Sequence, residues 1–302
     1  MRMTRRAFLA GSAGVLTLAA CGTSSDTDAT VLNVSAIPDQ DQEKLNRLYG
    51  AVADRFADAT GLETRYRNVV DYRAVVRAFE VGDVAVAWMG GLTGVQARNR
   101  VDGATAIAQR DIDADFHSVF IATRDSGLRP FDDISGVRQL AGHTFTFGSE
   151  TSTSGRLMPQ YFMDEGGLAV SELRGKPGFS GSHDATIEAV ASHSFDAGVL
   201  NEQVWEARKA TVEADEVNLD DVVLLWRTPG YADYHWLARP DLDSVAGAGT
   251  TQAITDLLLG LDTANPQDAE ILELFGATRF ITTENSNYDQ IEAVAREQGL
   301  LG

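Results

Sequence analysis

Val84-Ala85-Val86-Ala87-Trp88-Met89-Gly90-Gly91-Leu92-Thr93 is the stretch that decides the fold class of this chain. Val84 to Trp88 is apolar without interruption, so the run suits a strand covered on both faces. Gly90-Gly91 breaks it, and a helix follows through Val95 to Arg98. Upstream the same alternation recurs. Val31-Leu32-Asn33-Val34-Ser35-Ala36-Ile37 alternates as a strand and stops at Pro38. From Gln42 to Ala59, Leu45, Leu48, Tyr49, Val52, Phe56 and Ala57 return at helical spacing, and Gly61 ends the run. Leu62 to Val69 reads as a second strand. Asp71 then caps a helix from Tyr72 to Phe79 with Val75, Val76 and Phe79 as its inner stripe. A β-α-β-α-β-α series with short connections implies a mainly parallel sheet with helices on both faces.

Ser118 to Thr123 is a further apolar strand, and Asp125-Ser126-Gly127-Leu128-Arg129-Pro130 marks a break in composition. A second β/α series starts there. Its strands are Thr144 to Phe147, Gly178 to Ser180, Ala197 to Leu200 and Val222 to Trp226. Its helices run from Arg156 to Asp164, from Ala185 to Ala191 and onward from Asn201. Tyr234 to Ala238 is one more strand, and the chain closes in helices after Thr251. With 302 residues the chain exceeds one typical domain. The reading is two α/β lobes: residues 31–122 plus 230–302 in lobe I, and 123–229 in lobe II. The crossings are expected near Phe120–Asp125 and Leu225–Asp233, with a hinge and a ligand cleft between the lobes.

The N-terminus reads as an export signal. Thr4-Arg5-Arg6-Ala7-Phe8-Leu9 opens a charged region, and the uncharged run Ala7 to Ala20 is too short to span a bilayer. Leu18-Ala19-Ala20-Cys21 closes it with the chain's one cysteine, and Gly22 to Asp28 is a polar tether. Residues 1–20 are thus expected as a signal peptide and 21–30 as a lipidated tether. Cys21 resembles the modified residue of a bacterial lipobox, and the paired arginines resemble a twin-arginine signal. The net charge of −19 excludes nucleic acid as a partner, because phosphate neutralisation needs clustered Lys and Arg. It also leaves the lipid as the single route to a membrane.

Three loops join a strand to a helix and are dense in hydroxyls and glycines. In Gly148-Ser149-Glu150-Thr151-Ser152-Thr153-Ser154-Gly155, the hydroxyls of 149 and 151–154 stand before a helix, more than an N-cap requires. Unpaired N–H groups, the positive end of a helix dipole and rotatable hydroxyls together replace the hydration shell of a small anion. Ser180-Gly181-Ser182-His183-Asp184 repeats the arrangement, with a histidine whose neutral ring can donate one N–H to an oxyanion. Asp184 suits the helix start, where the dipole favours a carboxylate. Trp88 to Thr93 lies at the carboxyl end of a strand, where open α/β sheets bind ligands. Metal and nucleophile chemistry lack their motifs. The five histidines show no HExxH spacing, and Glu150 stands where a Gly-x-Ser-x-Gly elbow at Ser152 needs glycine. No cofactor motif is present.

Certain stretches together resemble a known family. They are Ala36-Ile37-Pro38-Asp39, Asp71 to Val76, Ala87 to Thr93 with Gln96-Ala97-Arg98, and Phe147 to Gly155 with Leu157-Met158-Pro159. They continue with Ser180 to Ala185, Asp196 to Asn201 and Thr228 to Tyr234. The chain from about residue 31 onward resembles the phosphate/phosphite/phosphonate substrate-binding proteins of ABC importers, closest to a branch labelled selenate-binding. The resemblance implies a type II periplasmic-binding-protein fold and no enzymatic activity. It implies a monomer outside the cytoplasmic membrane that delivers a small inorganic or organic oxyanion to an ABC permease and its ATPase. It assigns the oxyanion to Ser152, Thr153 and Ser154, with His183, Tyr72 and Asp233 assisting; closure of the lobes would bring Tyr72 and Thr93 onto the captured anion. A phosphonate-family carboxylate falls at Asn201 or Glu202, and a family tyrosine falls at Phe116 or His117. Asp233 would accept a proton from a protonated oxyanion and repel one without a proton. Two rivals stand beside this reading: an exported phosphoester hydrolase using Ser154 and His183, and a binding subunit that serves a sensor.

Overall fold

A computed structural model of the protein describes residues 30–210 and 219–301. The expected signal peptide, Cys21 and the tether up to residue 29 lie outside the described residues.

Two sheets form. The first holds β1 (Val31–Ala36), β2 (Glu63–Tyr66), β3 (Val86–Met89), β4 (Thr105–Arg110), β10 (His235–Ala238) and β11 (Phe280–Ile281), in the order β11-β4-β10-β3-β1-β2. The second holds β5 (Ser118–Thr123), β6 (Phe145–Phe147), β7 (Gly178–Phe179), β8 (Ala197–Asn201) and β9 (Val222–Arg227), in the order β7-β6-β8-β5-β9. Helices α1 (Gln42–Thr60), α2 (Tyr72–Val81) and α3 (Gly91–Arg98) follow strands of the first sheet. Helices α4 (Met158–Glu165), α5 (His183–Ala191) and α6 (Glu202–Ala210) follow strands of the second. The chain ends through α7 (Leu242–Ala246), α8 (Thr250–Leu259), α9 (Pro266–Phe275) and α10 (Asp289–Glu297). The start of α2 is as the sequence suggests, with the Asp71 carboxylate accepting from the Ala74 N–H at 2.8 Å.

The first sheet is parallel apart from β10, which follows a crossing, and the edge strand β11, and the second is parallel apart from β5. β1 runs parallel to β2 and β3, and β6 runs parallel to β7 and β8. β10 inserts antiparallel between β3 and β4, pairing Trp236 with Trp88 and with Ala108. β5 inserts antiparallel between β8 and β9, pairing Phe120 with Val199 and with Trp226.

The lobe boundary therefore differs from the sequence reading. Ser118–Thr123, expected to close lobe I, belongs to the second sheet. All six of its residues are buried, so its apolar character suits either sheet and only its ladder partners decide. The crossings lie at residues 111–117 and 228–234, and they pair with each other. Phe116 and Tyr231 exchange backbone hydrogen bonds of 2.8 and 3.0 Å, and the Asp233 N–H donates to the Asp113 carbonyl at 3.1 Å. β4 escaped the reading because Gln109 and Arg110 end it with polar residues that are nevertheless buried.

The core of the first lobe is sealed from the far end of the chain. Trp236 packs on Trp88 and Phe56, with ring centroids 5.6 and 5.4 Å apart. Helix α3 lies directly on β10 at Gly94, where a Cβ would stand 2.3 Å from the His235 ring. Only glycine permits that approach.

Candidate ligand-binding cleft

The hydroxyl-rich loop of the second lobe turns inward. Ser152 caps a short π-helical turn (Thr153–Leu157) that leads into α4, its hydroxyl accepting from the Gly155 N–H at 2.9 Å. Thr153 Oγ1 accepts the Leu92 N–H at 2.9 Å, a bond between the lobes. Among the described residues Thr151 Oγ1 has no hydrogen-bond partner, and Ser154 Oγ is buried with only the Tyr231 hydroxyl in reach. Ser154 is held by its main chain instead. Ser118 Oγ donates to the Ser154 carbonyl at 2.7 Å, and Tyr231 Oη donates to Ser118 Oγ at 2.5 Å.

The first lobe and the second crossing supply the facing wall. Tyr72, the first residue of α2, is buried with its hydroxyl toward Ser152. Asp233 is 1% exposed. Its Oδ1 accepts the Gly91 N–H at 3.0 Å at the start of α3, and its Oδ2 has no partner. A Cβ on Gly90 would come within 3.1 Å of Thr153 Oγ1 and 3.2 Å of Asp233 Oδ1, so glycine lets the two lobes meet there. At the mouth, Arg73 forms an ion pair with Glu150 across the lobes. The adjoining crevice, of about 240 Å³, is lined by Tyr72, Ser149, Thr151 and Phe179.

His183 sits at the first turn of α5, behind the Ser182 cap, and is fully buried. The Asn201 N–H points at its Nδ1 at 3.3 Å, which leaves the ring hydrogen on Nε2, directed to Tyr234 Oη at 3.2 Å. Asn201 Nδ2 donates to the same Tyr234 oxygen at 3.1 Å, and Asn201 Oδ1 caps α6 through the Val204 N–H at 2.6 Å. Tyr234 is thus a hub that joins the second lobe to the crossing, and it stacks on Trp88 with centroids 5.7 Å apart.

Burial governs the charges. It pushes the Asp233 carboxyl up to about 7, opposed by the Gly91 N–H and reinforced by the charge of Asp113. Burial likewise raises Asp39 to about 6, against the Tyr234 hydroxyl and the Arg110 charge. It lowers His183 to about 3, so the ring is neutral. Arg110 and Asp113 form a buried pair, Nε to Oδ2 at 2.7 Å and Nη2 to Oδ1 at 2.6 Å. The guanidinium lies over the ring of Tyr234 at 4.9 Å. The cleft therefore offers neutral donors and titratable carboxylates, with its nearest cation already matched.

Tyr72, Ser152, Thr153, Ser154, His183, Asn201 and Asp233 are brought into one constellation. Thr93 is buried in α3, and its hydroxyl donates to its own Gly90 carbonyl at 3.0 Å. At the ambiguous pair, Asn201 faces inward, whereas Glu202 is on the outside, bound to Arg227. At the other, Phe116 packs on Tyr231 and Tyr234, and His117 Nδ1 pairs with the Thr228 carbonyl at 2.8 Å. The Ser154–His183 pair of the hydrolase rival is not assembled, because both ring nitrogens of His183 face Asn201 and Tyr234. Sequence reasoning missed Asp39, Tyr231 and Tyr234 as parts of the site. Asp39 and Tyr234 had a weak signal, each sitting at the end of a family-like stretch.

Comparison with known proteins gives the family. Residues 34–288 match the family model described as ABC transporter, phosphonate, periplasmic substrate-binding protein. The chain is 43% identical over 268 residues to a probable ABC transporter phosphite binding protein, PhnD1, of Prochlorococcus marinus (strain MIT 9301). That alignment covers 88% of this chain and 89% of the relative. The solved structure of PhnD1 in complex with methylphosphonate matches with a TM-score of 0.86 and 42% identity, covering 89% of this chain and 98% of that one. A binding protein component of an ABC phosphonate transporter from Pseudomonas aeruginosa matches with a TM-score of 0.74 at 19% identity, covering 88% and 86%, a likeness of fold alone. Its fold is that of the type II periplasmic binding proteins, and the chain belongs to the family of periplasmic substrate-binding proteins of phosphonate ABC transporters, which are carriers and not enzymes.

Proposed function

We propose that the cleft holds one small tetrahedral phosphorus oxyanion of the phosphite or methylphosphonate type and that the closed protein delivers it to an ABC permease. One observation carries the reading. Among the described residues, the Thr151 hydroxyl and the Oδ2 of Asp233 are buried without partners, and the hydroxyls of Tyr72 and Ser154 are buried with only Ser152 and Tyr231 in reach, beside the first turns of helices from both lobes. Buried polar atoms are normally satisfied, so a shared set of unsatisfied ones suits a polar guest. The likeness to PhnD1, named as a phosphite binder and solved with methylphosphonate, points to the same class.

Asp233 ranks the guests. A monoprotonated oxyanion shares its proton with the carboxylate, whereas sulfate and selenate, which carry none near neutral pH, meet a like charge. The selenate label of the resembling branch is therefore disfavoured. Thermal shift of residues 22–302 tests this directly. Phosphite and methylphosphonate at 100-fold excess over Kd should each stabilise by about 2.7 kcal/mol, with sulfate and selenate silent. A response to selenate alone would overturn the ranking.

The same proposal places the protein outside the cytoplasmic membrane as a monomer, held by lipid on Cys21 after twin-arginine export. Cys21→Ser should move it from the membrane fraction to the soluble fraction while leaving oxyanion affinity unchanged. Retention of Cys21→Ser in the membrane fraction would count against the anchor.

A further inference from the structure

We propose that Asp39 couples capture to proton uptake: when the anion enters and the lobes close, the Asp39 carboxylate takes a proton from solvent. The inference rests on the oxyanion reading above and adds a residue to it that touches Tyr234 rather than acting as a binding hydroxyl.

Asp39 follows β1 on the first lobe and is 3% exposed. Its segment is clamped to the first turn of α5 on the second lobe. The His183 N–H donates to the Asp39 carbonyl at 2.9 Å, and the Asp41 N–H donates to Asp184 Oδ2 at 2.9 Å. Both bonds cross between lobes, so the burial of Asp39 belongs to the closed arrangement and opening rehydrates it. Besides neutral His183 at the start of α5, the groups facing its carboxylate come from the first lobe and the second crossing. They are Lys44 and Tyr49 of α1, Tyr66 of β2, Tyr72 of α2, Arg110 of β4 and Tyr234 of the second crossing.

Two of these are cations, and Arg110, the buried one, is already committed to a carboxylate. Arg110 spends Nε and Nη2 on Asp113 and donates from Nη1 to the Phe275 carbonyl at 2.8 Å. Lys44 donates one hydrogen to Gln40 Oε1 at 2.6 Å, and its charge is shared between Asp39 and Asp184. An anion entering between the lobes therefore adds its charge to those of Asp39 and Asp233, whose buried cation, Arg110, is already paired with Asp113. Like charges in a shared low-dielectric site are relieved by protonating one of them. Burial has already moved Asp39 to about 6, close to the working range. Protonation also frees the Tyr234 hydroxyl hydrogen, which otherwise faces this carboxylate, to turn toward the anion. Its oxygen meanwhile keeps the donors from His183 and Asn201.

Calorimetric titration of the mature chain with phosphite, in two buffers of different ionisation heat, counts the protons. Between about pH 6 and about pH 8 the wild type should take up more protons than Asp39→Asn, the difference approaching one. Its affinity should also fall more steeply with rising pH, by up to about tenfold per pH unit relative to the variant. Asp39→Glu, which keeps the carboxyl group, should restore uptake. Equal proton counts and equal slopes in wild type and Asp39→Asn would overturn the proposal. Should Asp39→Asn not fold, infrared difference spectra of Asp233→Asn decide. A protonated-carboxyl band that grows with phosphite supports Asp39, and a flat spectrum rejects it. Binding without Asp39-dependent uptake removes this inference alone, whereas no heat with phosphite or methylphosphonate at any pH removes the oxyanion reading with it.

Discussion

Ser154→Ala is expected to weaken phosphite binding by about 10- to 100-fold and to leave the unliganded melting temperature unchanged or slightly raised. The asymmetry follows from what the hydroxyl touches. Ser154 Oγ is buried, and its one neighbour within reach among the described residues is the Tyr231 hydroxyl, already held by Ser118, so its removal breaks at most one weak internal hydrogen bond. A hydrogen bond to a charged guest contributes about 1.5–3 kcal/mol, which sets the loss of affinity. Its two neighbours cannot make this separation. Ser152 Oγ caps the Gly155 N–H and Thr153 Oγ1 takes the Leu92 N–H, so alanine at either position also costs about 1 kcal/mol of stability or closure. Titration calorimetry beside a melting curve reads both quantities. A lower melting temperature with affinity intact would make Ser154 a structural hydroxyl and remove the central contact of the proposed site.

Asp233→Asn should stabilise the unliganded protein and flatten its choice among anions. The native carboxyl is raised from 3.8 to about 7, chiefly by burial, whereas the unfolded chain keeps the ordinary value. Above about pH 7 the native state therefore carries a buried carboxylate at a cost. That cost is relieved as pH falls through 7 and is gone below the unfolded value near 4. Relative to wild type, the variant should gain on the order of 2–4 kcal/mol at about pH 8 and little at about pH 4. The corresponding rise in Tm is about 5 °C or more at the higher pH. Removing the negative charge also removes the repulsion of proton-free dianions, which for like charges amounts to several kcal/mol. The preference for phosphite over sulfate and selenate should then drop by about tenfold or more. A variant that melts lower at pH 8 and still refuses sulfate would show that Asp233 holds the crossing together and does not read the guest.

Much of the cleft was legible because its chemistry is local. A hydroxyl cluster between a strand and a helix, such as Thr151 to Ser154, announces an N-terminus prepared for an anion, and Ser182-His183 repeats the device. What each hydroxyl does was not legible. Nothing along the chain distinguishes Ser152, spent on a cap, or Thr93, spent on Gly90, from Ser154, whose hydroxyl caps no backbone group. Asp39 and Tyr234 were passed over for a related reason. A lone carboxylate after a strand and a lone tyrosine carry no periodic or spaced signal until folding sets them against each other.

By itself the amino-acid order determined the α/β class, the division into two lobes and the loops where helices begin, since apolar periodicity, caps and hydroxyl density are all short-range properties. Only the tertiary structure decided that Ser118–Thr123 joins the second sheet, that the crossings pair through Phe116 and Tyr231, and that Tyr234 ties His183 and Asn201 to Asp39. A buried strand satisfies its backbone with whichever ladder long-range packing presents, and a buried carboxyl acquires its proton affinity from neighbours distant in the chain.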